Sequence, residues 1–199
     1  MTDRSRAGRG RRPGAPDTRA EILSSARSLF ATRGYKSTSV RAIAAEAGVD
    51  PALVHHYFGT KDDLFVAALE LPIDPRSVIG PALAGGIDGA AERLLTVFLG
   101  VWDDPELRPG LLGVVRSALE PEGQRLIREG FLPAVILPAA LALGVDQPER
   151  RMPLVASQIF GLILVRYILE VEPLASMSAA DVVATIAPNI QRYFEMPLP

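Results

Sequence analysis

Two short helical patterns that meet at one glycine constrain the fold of this chain more than any other feature. Apolar residues recur at helical spacing in the first pattern: Val40, Ile43, Ala44 and Ala47. This pattern ends at Gly48, the residue type best suited to the left-handed backbone that terminates a helix. Asp50 then offers an N-cap with Pro51 at the first helical position, and the second helix runs to Phe58. Two helices joined by so short a turn predict a helix-turn-helix at about residues 39–58.

An amphipathic helix precedes this motif and another helix follows it. A capping-box pattern that begins at Thr18 comes before an apolar face formed by Ile22, Ala26, Leu29 and Phe30. The helix before the motif is expected to end near Gly34. The helix after the motif is expected to start at Thr60 and stop at Pro72. The sequence therefore predicts an N-terminal three-helix helix-turn-helix domain over residues 17–71, with the additional helix leading into the rest of the chain.

The charge of the chain is divided unevenly along its length. The formal net charge is −2, but residues 1–66 carry 11 Lys or Arg against 7 Asp or Glu, a net of +4. The rest of the chain carries 10 against 16, a net of −6. Within residues 1–16, arginines lie among glycines and prolines without any apolar run, which predicts a disordered basic arm. A basic segment joined to an acidic body makes DNA the candidate partner of the N-terminal part.

Residues 72–199 predict an all-helical domain. Residues 72–89 are rich in proline and glycine and are expected to form a connection. Beyond them, helical periodicity covers approximately Ala90–Trp102, Glu106–Leu119, Glu122–Leu143 with prolines as breaks or kinks, Glu149–Glu170 and Ser178–Phe194. Because no convincing alternating strand competes with these patterns, the predicted fold class is all-α.

Composition argues against several classes of function. The chain has no cysteine, which excludes disulfides and thiolate chemistry. Its two histidines are the neighbours His55 and His56, which project about 100° apart on a helix and cannot ligate one metal ion from a single face. Neither a metal nor another cofactor is expected. The longest uncharged stretch, residues 130–145, is shorter than the ~18 to 20 residues that span a bilayer, so no membrane partner is expected.

The order of features in residues 38–65 carries a resemblance to a known family. A helix ends at the Gly48 turn, the next helix ends in Tyr57 and Phe58, and a Thr60-Lys61 pair follows. This segment resembles the DNA-binding region of the tetracycline-repressor (TetR/AcrR) family, and the match covers about the first 70 residues. The distal part is similar to the family's ligand-binding and dimerisation region. The resemblance therefore implies that residues 72–199 form a helical ligand-binding and dimerisation domain.

The resemblance also implies DNA contacts for particular side chains. Thr38 and Arg41 begin the helix that approaches the phosphate backbone, and Tyr57 and Lys61 reach phosphates. The residues that it places on the recognition helix are Asp50, Pro51, Ala52, His55 and His56. The first three of these depart from the Ser or Thr, Lys and Gly of many relatives and offer no long donor to a base. Direct readout is therefore expected to depend on Arg41, His55 and apolar contacts. The basic arm is expected either to enter an adjacent minor groove or to remain a solvated tail.

Two further sets of residues are candidates in the distal domain. The candidates for ligand binding are Phe98, Trp102, Arg116, Phe131, Gln158 and Tyr167. The alternative for the aromatic members is the protein's own core, and the alternatives for the polar members are the surface or a paired partner. The last two apolar helices predict a dimer interface, with the chain's own core as the alternative. The candidates for that interface are Ile159, Leu162, Val183, Ile186 and Ile190.

The leading hypothesis is a homodimeric, sequence-specific transcriptional regulator that represses from a palindromic DNA operator until a small apolar ligand releases it. One alternative is a ligand-independent dimeric regulator whose distal domain serves dimerisation or a protein partner. A remote alternative is an all-α enzyme that uses a distal cavity. The enzyme is disfavoured because the chain has no Gly-x-Ser-x-Gly, no cysteine and no histidine beyond residue 56. The expected location is the bacterial cytoplasm, in association with the nucleoid.

Overall fold

The computed structural model describes residues 17–198, so the predicted basic arm at residues 1–16 lies outside the described residues. All regular structure in the described part is helical, and the predicted all-α class is confirmed. In chain order the elements are α1 (Thr18–Arg33), α2 (Val40–Glu46), α3 (Pro51–Phe58), α4 (Lys61–Ala68), α5 (Pro75–Leu83), α6 (Ala90–Asp103), α7 (Arg108–Ala118), α8 (Pro121–Leu126), the π-helix π1 (Ile127–Ile136), α9 (Leu137–Ala142), α10 (Pro148–Leu162), the π-helix π2 (Ile163–Ile168) and α11 (Ala179–Glu195).

Side-chain caps start each of the first four helices. The α1 cap is Asp17, one residue before the predicted Thr18, and its carboxylate accepts from the backbone N–H of the first turn. Ser39 and Asp50 cap α2 and α3 in the same way. At α4 the reciprocal capping box between Thr60 and Asp63 is complete. Because these caps satisfy the free N–H groups of short helices, they fix where each helix begins.

The N-terminal helices enclose their own apolar core. Phe30 and Phe65 are fully buried in it, with ring centroids 5.2 Å apart, and Tyr35 packs edge-on against Phe65 at 5.1 Å. Ala134 and Val135 of π1 complete the same core. The distal helices therefore contribute directly to the packing of the N-terminal domain.

A second core lies among the distal helices. The pair α6 and α11 packs most extensively of all element pairs. The fully buried residues at its centre are Leu95, Leu99, Val182 and Ile190. This core holds the distal helices together, and the acidic body predicted from the charge division is built around it.

The segment between residues 72 and 89 differs from its prediction as a connection, because it contains α5. Asp74 caps this helix by accepting from the backbone N–H of Arg76 at 2.9 Å. Pro75 occupies the first helical position, where proline is favoured since its missing N–H has no partner there. Prolines and glycines break helices in general, but the Asp-Pro pair starts a helix here as it does at α3.

Of the two predicted effects of the distal prolines, breaks or kinks, the structure of residues 121–142 shows no break. Residues 121–142 continue from α8 through π1 into α9, and Pro133 lies inside the π-helical stretch. The second π-helix, π2, likewise continues α10. A π-helical turn changes the hydrogen-bond spacing from i+4 to i+5. Pro153 and Pro188 lie inside α10 and α11, so continuation past a proline is not confined to the π-helical stretches.

Candidate nucleic-acid interface

The helix α3 presents most of its side chains to solvent. The exposed residues on it are Ala52, Leu53, His55, His56 and Tyr57. Val54 is the buried anchor that faces the core, and the Arg19 guanidinium lies 5.1 Å from the centroid of the Phe58 ring at the far end. The helix is therefore fixed at both its inner face and its end, while its outer face makes a surface. Such an outward face is what a recognition helix needs to enter a major groove.

Arg41 extends this surface from the neighbouring helix α2. Its side chain is exposed and makes no hydrogen bond or ion pair with another residue in the part of the chain that the structure describes. An arginine in this state can form charge-assisted hydrogen bonds with a phosphate or the edge of a guanine. Among the predicted contact residues, Arg41 therefore has a long, exposed donor group that is not engaged within the described part of the chain.

Thr38 lies in the interior, in contrast to its predicted phosphate contact. The side chain is 1% exposed, and its Oγ1 lies 2.8 Å from the carbonyl oxygen of Gly34 and 3.1 Å from that of Leu29. The hydroxyl group donates to these carbonyls at and just beyond the end of α1. In this structure Thr38 supports the turn between α1 and α2 and has no free donor for DNA.

Lys61 is also engaged within the chain. Its Nζ donates to the backbone carbonyl oxygen of Tyr35 at 2.6 Å and lies 4.2 Å from the centroid of the Tyr35 ring. Burial lowers the pKa of this ammonium group below its usual range. In the structure Lys61 ties the start of α4 to the connection after α1, so a phosphate contact would have to compete with the Tyr35 carbonyl.

His55 has one ring nitrogen committed and one available. Its Nδ1 lies 2.9 Å from the carbonyl oxygen of Gly59. Because a carbonyl only accepts hydrogen bonds, Nδ1 carries the hydrogen, and Nε2 of the neutral ring is an acceptor. Neutral His55 is therefore suited to accept from a base amino group and unsuited to donate to a phosphate.

The remaining predicted positions lie at the start and at the centre of α3. One carboxylate oxygen of Asp50 accepts a hydrogen bond from the N–H of Ala52 at 2.7 Å, and Pro51 has no N–H to donate. The rings of His56 and Tyr57 pack edge to face, with centroids 5.4 Å apart. The exposed α3 residues and Arg41 thus lie on the surface. Thr38 and Lys61 differ from them because both donate to backbone carbonyls within the chain.

Three of the predicted ligand-binding residues come together in the distal core. The Trp102 ring lies 5.1 Å from the Tyr167 ring and 5.8 Å from the Phe98 ring, and the Tyr167 hydroxyl donates to Asp103 at 3.0 Å. Burial raises the pKa of Tyr167 to about 12. Beside them the guanidinium of Arg166 donates to two backbone carbonyls. These groups pack on one another as core residues do.

The other predicted ligand-binding residues do not join that cluster. Arg116 is exposed on α7, Gln158 donates weakly to its neighbour Ser157, and Phe131 packs against the N-terminal core. A groove of about 660 Å³ lies elsewhere, between α6 and α11. Its lining is formed by small side chains such as Ala180, Ala184 and Ala187. In residues 17–198, no group of three or more His, Asp or Glu side chains is arranged to hold a metal ion.

The predicted dimer residues largely face the chain's own core. Leu162, Val183 and Ile190 are buried, and Ile159 and Ile186 are partly buried against the same core. The opposite face of α10 and π2 is exposed and apolar, with large side chains at Leu154, Phe160, Leu164 and Ile168. By length and composition alone, Pro148–Ile168 is also apolar enough to cross a membrane. Periodicity could not separate the two faces, because residues 154–169 are apolar nearly all round.

The two domains are joined by polar contacts as well as by π1. Arg76 of α5 lies 2.8 Å from Asp63 of α4 and 2.8 Å from Asp74. Hydrogen bonds from Thr60 and Arg76 lower the pKa of Asp63, and a hydrogen bond from Arg76 lowers that of Asp74. The guanidinium of Arg125 donates to the carbonyl of Thr32 at the end of α1. These contacts connect the distal helices to both α1 and α4.

Comparison with known proteins agrees with this arrangement over both parts of the chain. Residues 22–68 match the model of bacterial regulatory proteins of the tetR family, and residues 88–194 match the tetracyclin repressor-like C-terminal domain. A crystal structure of a TetR-family regulator from Streptomyces coelicolor A3 is 42% identical, covers 93% of this chain and 98% of that chain, and gives a TM-score of 0.50.

Curated relatives match the N-terminal part. The transcriptional regulator HbdR of Aromatoleum sp. is 36% identical over 78 residues, which are 39% of this chain and 34% of the relative. A transcriptional repressor of Mycobacterium tuberculosis is 45% identical over 71 residues, which are 35% of this chain and 38% of the relative. The match thus spans little more than a third of the length of these curated relatives, and it lies where the candidate interface is.

Proposed function

Because the chain belongs to the TetR family of DNA-binding transcriptional regulators, we propose that it is a homodimeric repressor that binds a palindromic operator. The observation that carries this proposal is the outer face of α3, where five of eight residues are exposed although the helix is firmly anchored. No packing among residues 17–198 accounts for that face. Exposed Arg41 on the preceding helix α2 makes no hydrogen bond or ion pair in this described part, and residues 1–16 supply the positive charge that a polyanion attracts.

A second copy of the chain is the proposed partner of the distal helices. The exposed apolar face of α10 and π2 carries Leu154, Phe160, Leu164 and Ile168, and burial of such a face stabilises association. Pairing of two copies by a two-fold axis would present two α3 helices on one side. They would then enter successive major grooves about 34 Å apart, which requires a palindromic site.

We propose release from DNA by a small, largely apolar ligand, through a shift of the distal helices against α1 and α4. The contacts of Arg76, Arg125 and π1 support this route, because they connect the distal helices to α1 and α4 of the N-terminal domain. The ligand must bind the released conformation more tightly, with a coupling typically of about 1–3 kcal/mol. The bacterial cytoplasm, in association with the nucleoid, is the proposed location.

A second candidate function is a ligand-independent regulator, and one observation favours it. Phe98, Trp102 and Tyr167 fill space against one another, as core residues do. A thermal-shift screen of small apolar compounds separates the two candidates. A compound that raises the melting temperature and also weakens DNA binding supports the ligand-released repressor. A stable dimer that binds DNA and responds to no compound supports the ligand-independent one.

Selection of DNA tests the regulator itself. The full chain is incubated with random double-stranded fragments, and bound fragments are amplified and sequenced over several rounds. The proposal predicts enrichment of one two-fold symmetric sequence whose half-sites are about one helical turn apart. Arg41→Ala should reduce the affinity for that sequence, while Arg116→Ala, which removes an exposed arginine of the distal domain, should leave it unchanged. Fragments without any shared sequence would refute a sequence-specific regulator.

A further inference from the structure

Leu53 is an apolar side chain on the surface that meets DNA. It is 39% exposed on α3 and contributes to neither of the two apolar cores formed by the described residues. Helical geometry places it beside His56 and Tyr57, three and four positions further along. The neighbouring Val54, by contrast, is 2% exposed and anchors the helix. Packing among the described residues thus explains Val54 and gives Leu53 no apolar partner.

The start of α3 has no side-chain donor that could reach a base. One oxygen of the Asp50 carboxylate accepts from the N–H of Ala52 at 2.7 Å, and its negative charge is repelled by phosphates. Pro51 has no N–H, and Ala52 ends in a methyl group. This half of the helix therefore offers mainly apolar surface to the floor of a major groove. The one apolar group that base pairs display there is the C5-methyl of thymine.

We infer that Leu53 recognises the C5-methyl group of a thymine in each half-site of the operator. This inference rests on the proposed function, because it requires α3 to enter the major groove. The side chain is long enough to extend beyond the methyl group of Ala52, and its exposed area is lost from water only when a partner covers it. Duplex DNA is the partner because Arg41 lies in the same domain as Leu53 and the basic residues 1–16 directly precede that domain in the chain.

Replacement of thymine by uracil removes only the methyl group and tests the inference directly. Each thymine of the selected operator is replaced in turn, at symmetric positions of both half-sites, and the Kd is measured by fluorescence anisotropy at one fixed salt concentration. Wild-type protein should bind about 3- to 10-fold more weakly when the contacted methyl groups are absent. In Leu53→Ala, thymine and uracil at those positions should give the same Kd.

Tyr57→Phe is the control variant, because it changes a neighbouring exposed residue of α3 without shortening Leu53. Its affinity is expected to fall uniformly while the thymine-to-uracil ratio of Kd values stays at the wild-type value. Since Leu53 is exposed, Leu53→Ala should melt within a few degrees of wild type, which circular dichroism checks.

Two results would overturn the inference alone: no uracil position weakens wild-type binding, or Leu53→Ala retains the wild-type ratio. Failure to select any operator would instead overturn the proposed function, and the recognition of thymine by Leu53 with it.

Discussion

Substitution of Gly130 by alanine should destabilise the protein through a clash between its two domains. Gly130 is buried in π1, and a methyl carbon added there would lie 3.2 Å from Cε1 of Phe65 and closer still to Cζ and Cε2. Carbon atoms prefer separations of about 3.5–4.0 Å, so the ring or the helix must move. Phe65 has no free space to move into, because it is fully buried between Phe30 and Tyr35.

The size of the effect follows from two opposing contributions. Overpacking of a core costs about 1–3 kcal/mol. Replacement of glycine inside a helix returns roughly 0.5–1 kcal/mol, because alanine loses less backbone entropy on folding. Because two of the three contacts with Phe65 fall below 3.0 Å, the overpacking cost lies at the upper end of its range. The expected net loss is therefore about 2–2.5 kcal/mol, and for a protein of this length that corresponds to a decrease in Tm of roughly 4–10 °C. Thermal unfolding followed by circular dichroism measures it, at a fixed protomer concentration because dimerisation shifts Tm.

Gly113→Ala provides the matched control. Gly113 lies on the exposed side of α7, and an added methyl carbon there would meet nothing within 4 Å. The control should therefore gain about 0.5–1 kcal/mol from helix propensity alone. If Gly130→Ala melted at or above the temperature of wild type, as Gly113→Ala should, the close contact between π1 and the N-terminal core would be refuted.

Three further predictions concern association, charge and pH. Leu164→Lys should convert the proposed dimer to monomers, as measured by analytical ultracentrifugation. Leu119→Lys, which changes another exposed leucine, should leave it dimeric. A dimeric Leu164→Lys variant would contradict the proposed interface. Residues 17–66 carry six basic and six acidic residues, so the net positive charge of residues 1–66 comes from residues 1–16. Deletion of residues 1–16 should therefore lower the slope of log Kd against log salt concentration by about 0.9 for each phosphate contact that is lost. An unchanged slope would show that the arm does not touch DNA. Because Asp63 and Asp74 have lowered pKa values in the folded state, their stabilising contribution is complete above pH 4 and is lost as pH falls below it. Urea unfolding at pH 7, 5 and 3 should show the difference between wild type and Arg76→Gln shrinking at pH 3, and a constant difference would argue against these ion pairs.

Much of the N-terminal domain could be predicted from sequence because its signals are local. Gly48, with a φ of 67°, and the Asp50-Pro51 pair define the turn and the start of α3 with little help from the rest of the chain. The placement of the α3 residues on a recognition helix came from the family resemblance and not from this local pattern. Leu53 was overlooked, although its position beside the buried Val54 on a short helix was a signal that it faces outward.

Sequence patterns do not reveal features that depend on tertiary contacts. The resemblance assigns Thr38 and Lys61 to DNA, and this assignment stays a prediction. In the structure Thr38 donates to the Leu29 and Gly34 carbonyls and Lys61 donates to the Tyr35 carbonyl, and neither contact could be predicted from the sequence. On the distal helices, both faces are apolar, so only the packed structure distinguishes the core residue Leu162 from the exposed residue Leu164.

The ratio between specific and non-specific affinity tests the central claim most directly. Kd is measured for the selected two-fold symmetric site and for a scrambled duplex of the same composition, at one salt concentration near physiological. A sequence-specific dimer predicts binding to the symmetric site at least about 10³-fold tighter, with two protomers bound per site, and loss of most of this preference when one half-site is scrambled. Equal affinity for the two duplexes would contradict the account, because it would leave the outer face of α3 without a role in recognition.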